Sequence, residues 1–475
     1  MTNTFVDAIR NKNARTENGM KARSSTASAL TDLFFAIGAS RGKNIIPQFA
    51  AAFAENPELA SRIALWVRDV RAGAGERKIF RDILNYLETT NVDYAVAVMR
   101  RIPDLGRWDD VLAAKTPVVR AFGFKQIETA LHGQDGLAAK WMPRKGADAV
   151  ELRNYLGLTP KRYRKLLVNL TKVVETQMCA KDWDNINFNH VPSVASSRYK
   201  KAFNRHTTSY AEWTNALVKG ETFKGEVAKV NASAVYPYDV LKGVFGRYGM
   251  DMDYNVAELN NIVAQWDALP NYVGSANILP MVDVSGSMSC GPIPNLSPLA
   301  VAVSLGLYLA DKNTGKFKDT FLTFSSSPEL LNLKGNILDK VKQMSTSKWE
   351  MSTNLHKAFE KILETAVNGR VPQSEMPEVL LVLSDMQFNG CTRYDDSAIQ
   401  MIRRKYENAG YNVPRVVFWN LNAKDNVPVK FNEIGVALVS GFSPSIVKSV
   451  LAADLEEFTP YNIMLKTIMN ERYNF

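Results

Sequence analysis

The residues best suited to chemistry lie in Ile278–Ser289, ILPMVDVSGSMS. An apolar run with strand character ends at Asp283, and Ser285 and Ser287 follow at alternate positions. Asp-x-Ser-x-Ser directly after a strand puts one carboxylate and two hydroxyls on a tight loop. All are hard oxygen donors, which suit Mg²⁺ or another small hard cation better than they suit zinc or copper. Alone the motif is moderately selective, because serine-rich loops after strands are common and both serines are also able to cap a following helix. Two later positions strengthen it. Thr353 lies in Met351–Leu355, a polar turn that opens a helix, and Asp385 ends the apolar run that begins at Val379.

These five positions, Asp283, Ser285, Ser287, Thr353 and Asp385, resemble in order the metal-ion-dependent adhesion site of a von Willebrand A domain. The resemblance covers about the last 200 residues. It implies a bound Mg²⁺, with another divalent cation as an option, held by those five residues. It also implies one open coordination position for an acidic group offered by a partner protein.

Catalysis is the alternative use of such a site. A serine hydrolase needs a base for its nucleophile. His356 is the only histidine near the site in sequence, and no Gly-x-Ser-x-Gly elbow occurs. Metal-dependent phosphatases and nucleases use more carboxylates to hold their metals. Two aspartates among neutral hydroxyls leave a cation electrophilic, fitted to capturing a carboxylate, so a non-enzyme is expected.

The elements that must position these residues alternate strand and helix. Strands are expected near 277–283, 319–324, 379–384, 415–420 and 434–439, with helices between them, including the apolar Leu296–Ala310. That alternation predicts a doubly wound, mainly parallel, Rossmann-like sheet, whose ligands sit at the carboxyl ends of strands. Asp283 and Asp385 both fall at such ends.

The preceding half is different. Residues 1–250 carry 38 Lys and Arg against 24 Asp and Glu, a net +14, whereas residues 251–475 carry 20 against 24, a net −4. A basic half joined to a near-neutral one points to a polyanionic partner; a lysine-rich solvated surface is the plainer account. Amphipathic helices follow one another at Ala29–Ile37, Ile45–Glu55, Pro57–Val70, Lys78–Leu87 and Val92–Arg101, with Ser28 or Thr31 as the first cap. Stacked helix pairs, a HEAT-like solenoid or ring, are the expected architecture. Residues 215–270 also read as helical.

Four stretches concentrate cations. Arg68, Arg71, Arg77 and Lys78 surround Gly73 and Gly75, as an anion site at a helix start or as a tight inter-helix turn. Lys140, Arg144 and Lys145 flank Trp141, as a nucleic-acid groove or a solvated helix end. Thr159 and Pro160 start a helix bearing Lys161, Arg162, Arg164 and Lys165 opposite its leucines. Arg198, Lys200, Lys201 and Arg205 lie among Tyr199, Phe203, His206 and Tyr210, the mix of charge and flat faces that single-stranded nucleic acid needs.

The segments Arg68–Lys78, Gly106–Val111 and Ala138–Lys145 resemble the TROVE module of the Ro autoantigen family. They are closer still to an uncharacterised family of phages and bacteria with the same two-part layout. The Ro resemblance implies a ring of helical repeats that binds single-stranded ends of RNA or small structured RNA, closed by a von Willebrand A domain. The expected division is an extended arm over 1–30, a helical TROVE-like domain over 31–270 and a von Willebrand A-like domain over 271–475. The function that follows is an RNA-binding scaffold resembling Ro ribonucleoproteins. The competing class is a protein-interaction adaptor, virion-associated or serving an AAA+ ATPase, with no RNA role; it has no need of the basic half.

No window approaches the ~18 apolar residues of a membrane span, and the polar start does not read as a signal peptide. Cys179, Cys290 and Cys391 form neither a disulfide framework nor a zinc pattern. Four scattered histidines argue against a zinc site too. A reducing cytoplasm is expected.

Overall fold

Near-continuous apolar runs make strands that are covered on both faces, and the described residues hold five of them. The computed structural model describes residues 13–230, 235–242, 244–246, 249–250, 256–289, 297–324, 327–346, 353–389, 398–453 and 457–475. Residues 1–12 of the expected arm, Cys290, Leu296, Met351, Ser352 and Cys391 lie outside them. The chain divides into two compact units. One holds residues up to Pro57, Val235–Asn255 and Gln265–Met469; the other holds Glu58–Ala234, Val256–Ala264 and Asn470–Phe475. A helical region followed by a mainly parallel sheet is the architecture expected.

The first unit is built on six strands: β1 (Ile278–Asp283), β2 (Thr320–Phe324), β3 (Leu330–Asn332), β4 (Val379–Ser384), β5 (Arg415–Asn420) and β6 (Val436–Ser440). Their spatial order is β6-β5-β4-β1-β2-β3. All neighbours are parallel except β2 and β3. Every residue of β1, β4 and β6 is buried. The short antiparallel edge strand β3, with its exposed–half-buried–exposed pattern, has no apolar run to announce it.

Helix Pro298–Lys312 packs on β1. It comes so close that a side chain on Gly306 would meet Val282 at 2.4 Å. On the other face Leu355, Phe359 and Ile362 of helix Leu355–Gly369 join Leu279, Met281, Leu380 and Val382 in one apolar cluster. Because β2 lies on one side of β1 and β4 on the other, the chain reverses direction between β1 and β4. Such a switch point opens a crevice at the strands' carboxyl ends.

Of the described residues, 13–57 belong to this unit, not to an extended arm and a separate helical domain. Asn13–Arg15 and Lys21–Arg23 form a hairpin. Helix Ala29–Ile37, capped by Ser28, packs on β6 and on helix Pro460–Ile468. Its carboxyl end is satisfied by the sheet: Ser440 donates to Phe34 O at 2.7 Å and Asn420 to Phe35 O at 3.1 Å. Those hydrogen bonds across some 400 positions are invisible to local pattern, which is why composition alone places the boundary elsewhere.

The second unit is a succession of helices that pack chiefly on sequence neighbours, among them Pro57–Arg68, Arg77–Thr90, Val92–Arg100, Pro117–His132, Gly136–Trp141, Pro160–Leu170 and Ser193–His206. Thr159 caps Pro160–Leu170 by accepting from Arg162 N, as its sequence predicts. The 215–270 region is less helical than its pattern suggests. Two short hairpins, Thr222–Phe223 with Glu226–Val227 and Phe245–Gly246 with Gly249–Met250, interrupt it.

Candidate metal centre and basic surfaces

Asp283 ends β1 fully buried, beside Ser384 at the end of β4. One of its carboxylate oxygens accepts from Ser285 N at 2.9 Å and the other from Ser384 Oγ at 2.5 Å. Ser285 Oγ lies 3.1 Å from Ser287 Oγ. The serines do not cap the next α-helix; Ser297 does, accepting from Ala300 N. Ser287 favours the charged form of Asp385. Asp385 accepts from Gln387 N at 3.2 Å. Thr353, just before the Asn354 cap of helix Leu355–Gly369, donates to Gln387 O at 2.8 Å and Asn389 Oδ1 at 3.3 Å. All five expected ligands therefore meet at the β1–β4 switch point, linked through Ser384 and Gln387. The turn that aims Asp385 is strained, since Met386 sits at φ 65°, left-handed backbone that a residue with a Cβ rarely adopts.

The electrostatics favour a cation. Burial pushes the Asp283 carboxyl up to about 6, with the Asp385 charge adding to it, against hydrogen bonds from Ser384 and Ser285. Burial also raises Asp385. Asp385 Oδ2 is buried and has no hydrogen-bond partner among the described residues. Two buried carboxylates, three hydroxyls and an orphaned oxygen fit a hard divalent ion. Among the described residues no cluster of three or more His, Cys, Asp or Glu offers a softer site. Lys43 and Lys424 lie within electrostatic range of Asp385. Ser384, Gln387 and Lys43 carry no motif that would single them out in sequence.

The basic stretches fare unequally. Arg68 is buried and holds Asp110 at 2.5 Å, and Arg81 holds the same carboxylate at 2.7 Å. That withdraws Arg68 from the RNA-contact set, because its guanidinium is enclosed by protein. The loop after it is a tight turn, not an anion cradle. Its N–H groups are spent internally: Ala74 N on Trp66 O, Gly75 N on Asp69 O and Glu76 N on Val67 O. A side chain on Gly73 would meet Trp66 O at 1.8 Å. Arg71 and Arg77 are exposed, Arg71 donates to Asp104 O, and Lys78 pairs with Asp82 at 2.6 Å.

Lys140 lies 3.6 Å from Glu175, and Arg144 closes the end of helix Gly136–Trp141 by donating to Lys140 O and Met142 O. Trp141 is already covered by Arg107 at 3.7 Å. Lys145 is exposed. This segment packs against the next basic helix, where Tyr163 OH donates to Pro143 O at 2.9 Å. Lys161, Arg162, Arg164 and Lys165 all stand exposed on that helix while Tyr163 and Leu167 are buried. On Ser193–His206, Arg198, Lys201 and Arg205 are exposed and Lys200 half-buried. None of Lys145, Lys161, Arg162, Arg164, Lys165, Arg198, Lys201 or Arg205 has an ion-pair partner among the described residues.

The interleaved aromatics do not present flat faces as expected, since Phe203 and Tyr210 are core with Phe188 and Trp213. The aromatic step with an exposed member is Trp183 on His206, stacked at 4.6 Å and 17°. Asn189 is structural, accepting from Trp213 Nε1 and Lys229 N. No described helix is long and apolar enough to cross a membrane.

Residues 277–469 match a domain of unknown function, DUF7788, and residues 16–93 and 125–275 match another, DUF2828. Protein L728 of Acanthamoeba polyphaga mimivirus, described as uncharacterised, is 31% identical over 517 residues, 95% of this chain and 86% of that protein. The crystal structure of the Deinococcus radiodurans Ro (RSR) protein is 15% identical and superposes with a TM-score of 0.48 over 94% of this chain and 100% of that one.

Proposed function

The chain belongs to the same family as mimivirus protein L728, and we propose that it is a non-catalytic RNA-binding scaffold of the cytoplasm. In this reading the helical unit holds single-stranded or misfolded RNA, and the sheet unit, carrying Mg²⁺ on Asp283, Ser285, Ser287, Thr353 and Asp385, docks a protein through an acidic group.

The observation that carries the RNA half is the set of exposed cations without carboxylate partners, four of them on helix Pro160–Leu170. Charges that the fold does not use are available to phosphates, and releasing counterions from RNA makes such binding steeply salt-dependent. The resemblance of three segments to the Ro family supports the same partner. The metal half is supported by the orphaned Asp385 oxygen and the hydroxyl-rich donor set. A non-catalytic role is supported by His356, the histidine nearest the site in sequence, whose Nδ1 is engaged by Glu360 at 3.2 Å.

The deciding experiment is equilibrium binding to a fluorescent single-stranded RNA at several salt concentrations, with duplex RNA and single-stranded DNA as competitors. Tight, salt-sensitive binding that prefers single-stranded RNA supports the scaffold. No binding at moderate salt sinks it and leaves the adaptor reading. Calorimetry with Mg²⁺ tests the other half: the wild type should bind and Asp283→Ala should not.

A further inference from the structure

We infer that Thr16–Gly19 form an in-chain strap on the candidate metal site, that strap docking and cation binding stabilise each other, and that Gln387 is the positioning residue joining them. The inference rests on the metal reading above.

Gln387 is fully buried, two residues beyond Asp385, and uses every polar group it has. Toward the metal ligands, its N donates to Asp385 Oδ1, its side-chain amide donates to Asp385 O at 3.3 Å, and its carbonyl accepts from Thr353 Oγ1 at 2.8 Å. Toward the strap, the same carbonyl accepts from Asn18 Nδ2 at 2.7 Å, and its side-chain oxygen accepts from Glu17 N at 2.7 Å. The next two residues repeat the pattern. Thr16 Oγ1 donates to Phe388 O at 2.5 Å. Gly19 forms a bridge with Asn389, whose N in turn donates to Thr353 O at 2.7 Å.

The strap is a built turn. Gly19 N donates to Thr16 O and Thr16 N to Met20 O, both at 2.9 Å. Gly19 has φ +88°, which favours glycine. Met20 is buried in the cluster that holds Phe388 and Met386, and Arg23 and Val427 exchange two backbone hydrogen bonds at 2.9 Å. The turn also brings a charge. Glu17 pairs with Lys424 at 2.8 Å. Docking holds Thr353 and Asp385 in place through Gln387, so the cation finds its ligands positioned. Coupling between two binding events is reciprocal.

The test uses the full chain and Mg²⁺ alone as probe. Calorimetry on wild type and Asn18→Ala measures one direction. Asn18 is exposed, so its replacement leaves the fold intact. Its Mg²⁺ affinity should fall about five-fold or more, the lower range of measured couplings, while Lys219→Ala, at an exposed position outside both proposed sites, should bind as wild type does. Hydrogen exchange measures the other direction: Mg²⁺ should slow the amides of Met20 and Arg23 relative to EDTA. Equal affinity in wild type and Asn18→Ala, or strap exchange indifferent to Mg²⁺, overturns the coupling. A wild type that does not bind Mg²⁺ overturns the metal reading itself, and the inference with it.

Discussion

The stretches Arg68–Lys78 and Lys161–Lys165 are both arginine- and lysine-rich segments of one helical unit, and the fold puts them to opposite uses. In the first, Arg68 is enclosed with Asp110, and the loop's N–H groups are spent on Trp66, Val67 and Asp69. In the second, four cations stand in solvent with no carboxylate answering them among the described residues. Charge in a sequence is thus not evidence of a ligand; charge without a partner is. The Ro-like motif residues Arg68, Asp69, Asp109 and Asp110 belong to the structural class. Asp69 takes two hydrogen bonds from Arg472 and one from Tyr473, and Asp109 is lowered chiefly by Arg107 against its burial.

The largest effect expected comes from breaking the enclosed pair. Arg68→Ala leaves Asp110 buried and short of one of its cations, a change that costs about 3–5 kcal/mol. Urea unfolding should show that loss. A change under about 1 kcal/mol would mean that Arg81 and water compensate, and the contrast between the stretches would weaken.

A buried charge with no cation close by should behave in the reverse way. Asp283 rises from its ordinary 3.8 to about 6 on folding. A raised carboxyl leaves stability intact below the unfolded value and removes it as pH climbs through the folded one. In EDTA, wild type and Asp283→Asn should therefore be equally stable below pH ~4, and the variant more stable above pH ~6 by about 3 kcal/mol. Saturating Mg²⁺ should erase that advantage by stabilising only the wild type. Thermal melts across that pH range, with and without Mg²⁺, read both effects.

These contrasts show what local pattern carries. Strands β1, β2, β4, β5 and β6 were legible, as was the placing of the five candidate residues at strand ends and a turn, because an apolar run ending in Asp, or a hydroxyl turn before a helix, is written in adjacent residues. Ser28 and Thr159 as caps were legible for the same reason. The affiliation of Ala29–Ile37 with the sheet was not, since it depends on Ser440 and Asn420, some 400 positions away. Nor was the fate of Arg68, whose partner lies 42 positions on. The aromatics misled: alternation of Arg and Lys with Tyr and Phe is the same pattern for a base-stacking face and for a helix burying its rings, and Phe203 and Tyr210 are buried.

Replacing Lys161, Arg162, Arg164 and Lys165 together with alanine tests the unpaired stretch. The fold uses none of the four head groups, so stability should change by less than about 0.5 kcal/mol for each site. RNA binding should change instead. A single strand releases about 0.7 counterion for each phosphate neutralised, so four lost contacts flatten the slope of log K against log salt by roughly 3. His206→Ala should act differently. It removes a stacking face worth about 1–3 kcal/mol for each base without removing a phosphate contact, so affinity falls while the slope holds. A quadruple variant with wild-type slope would show that these cations are solvated surface after all. A His206 variant that binds normally would confine recognition to charge. If the two readouts separate as expected, backbone and base recognition come from different elements: an exposed helix whose cations are unpaired among the described residues, and an aromatic step on the next basic segment.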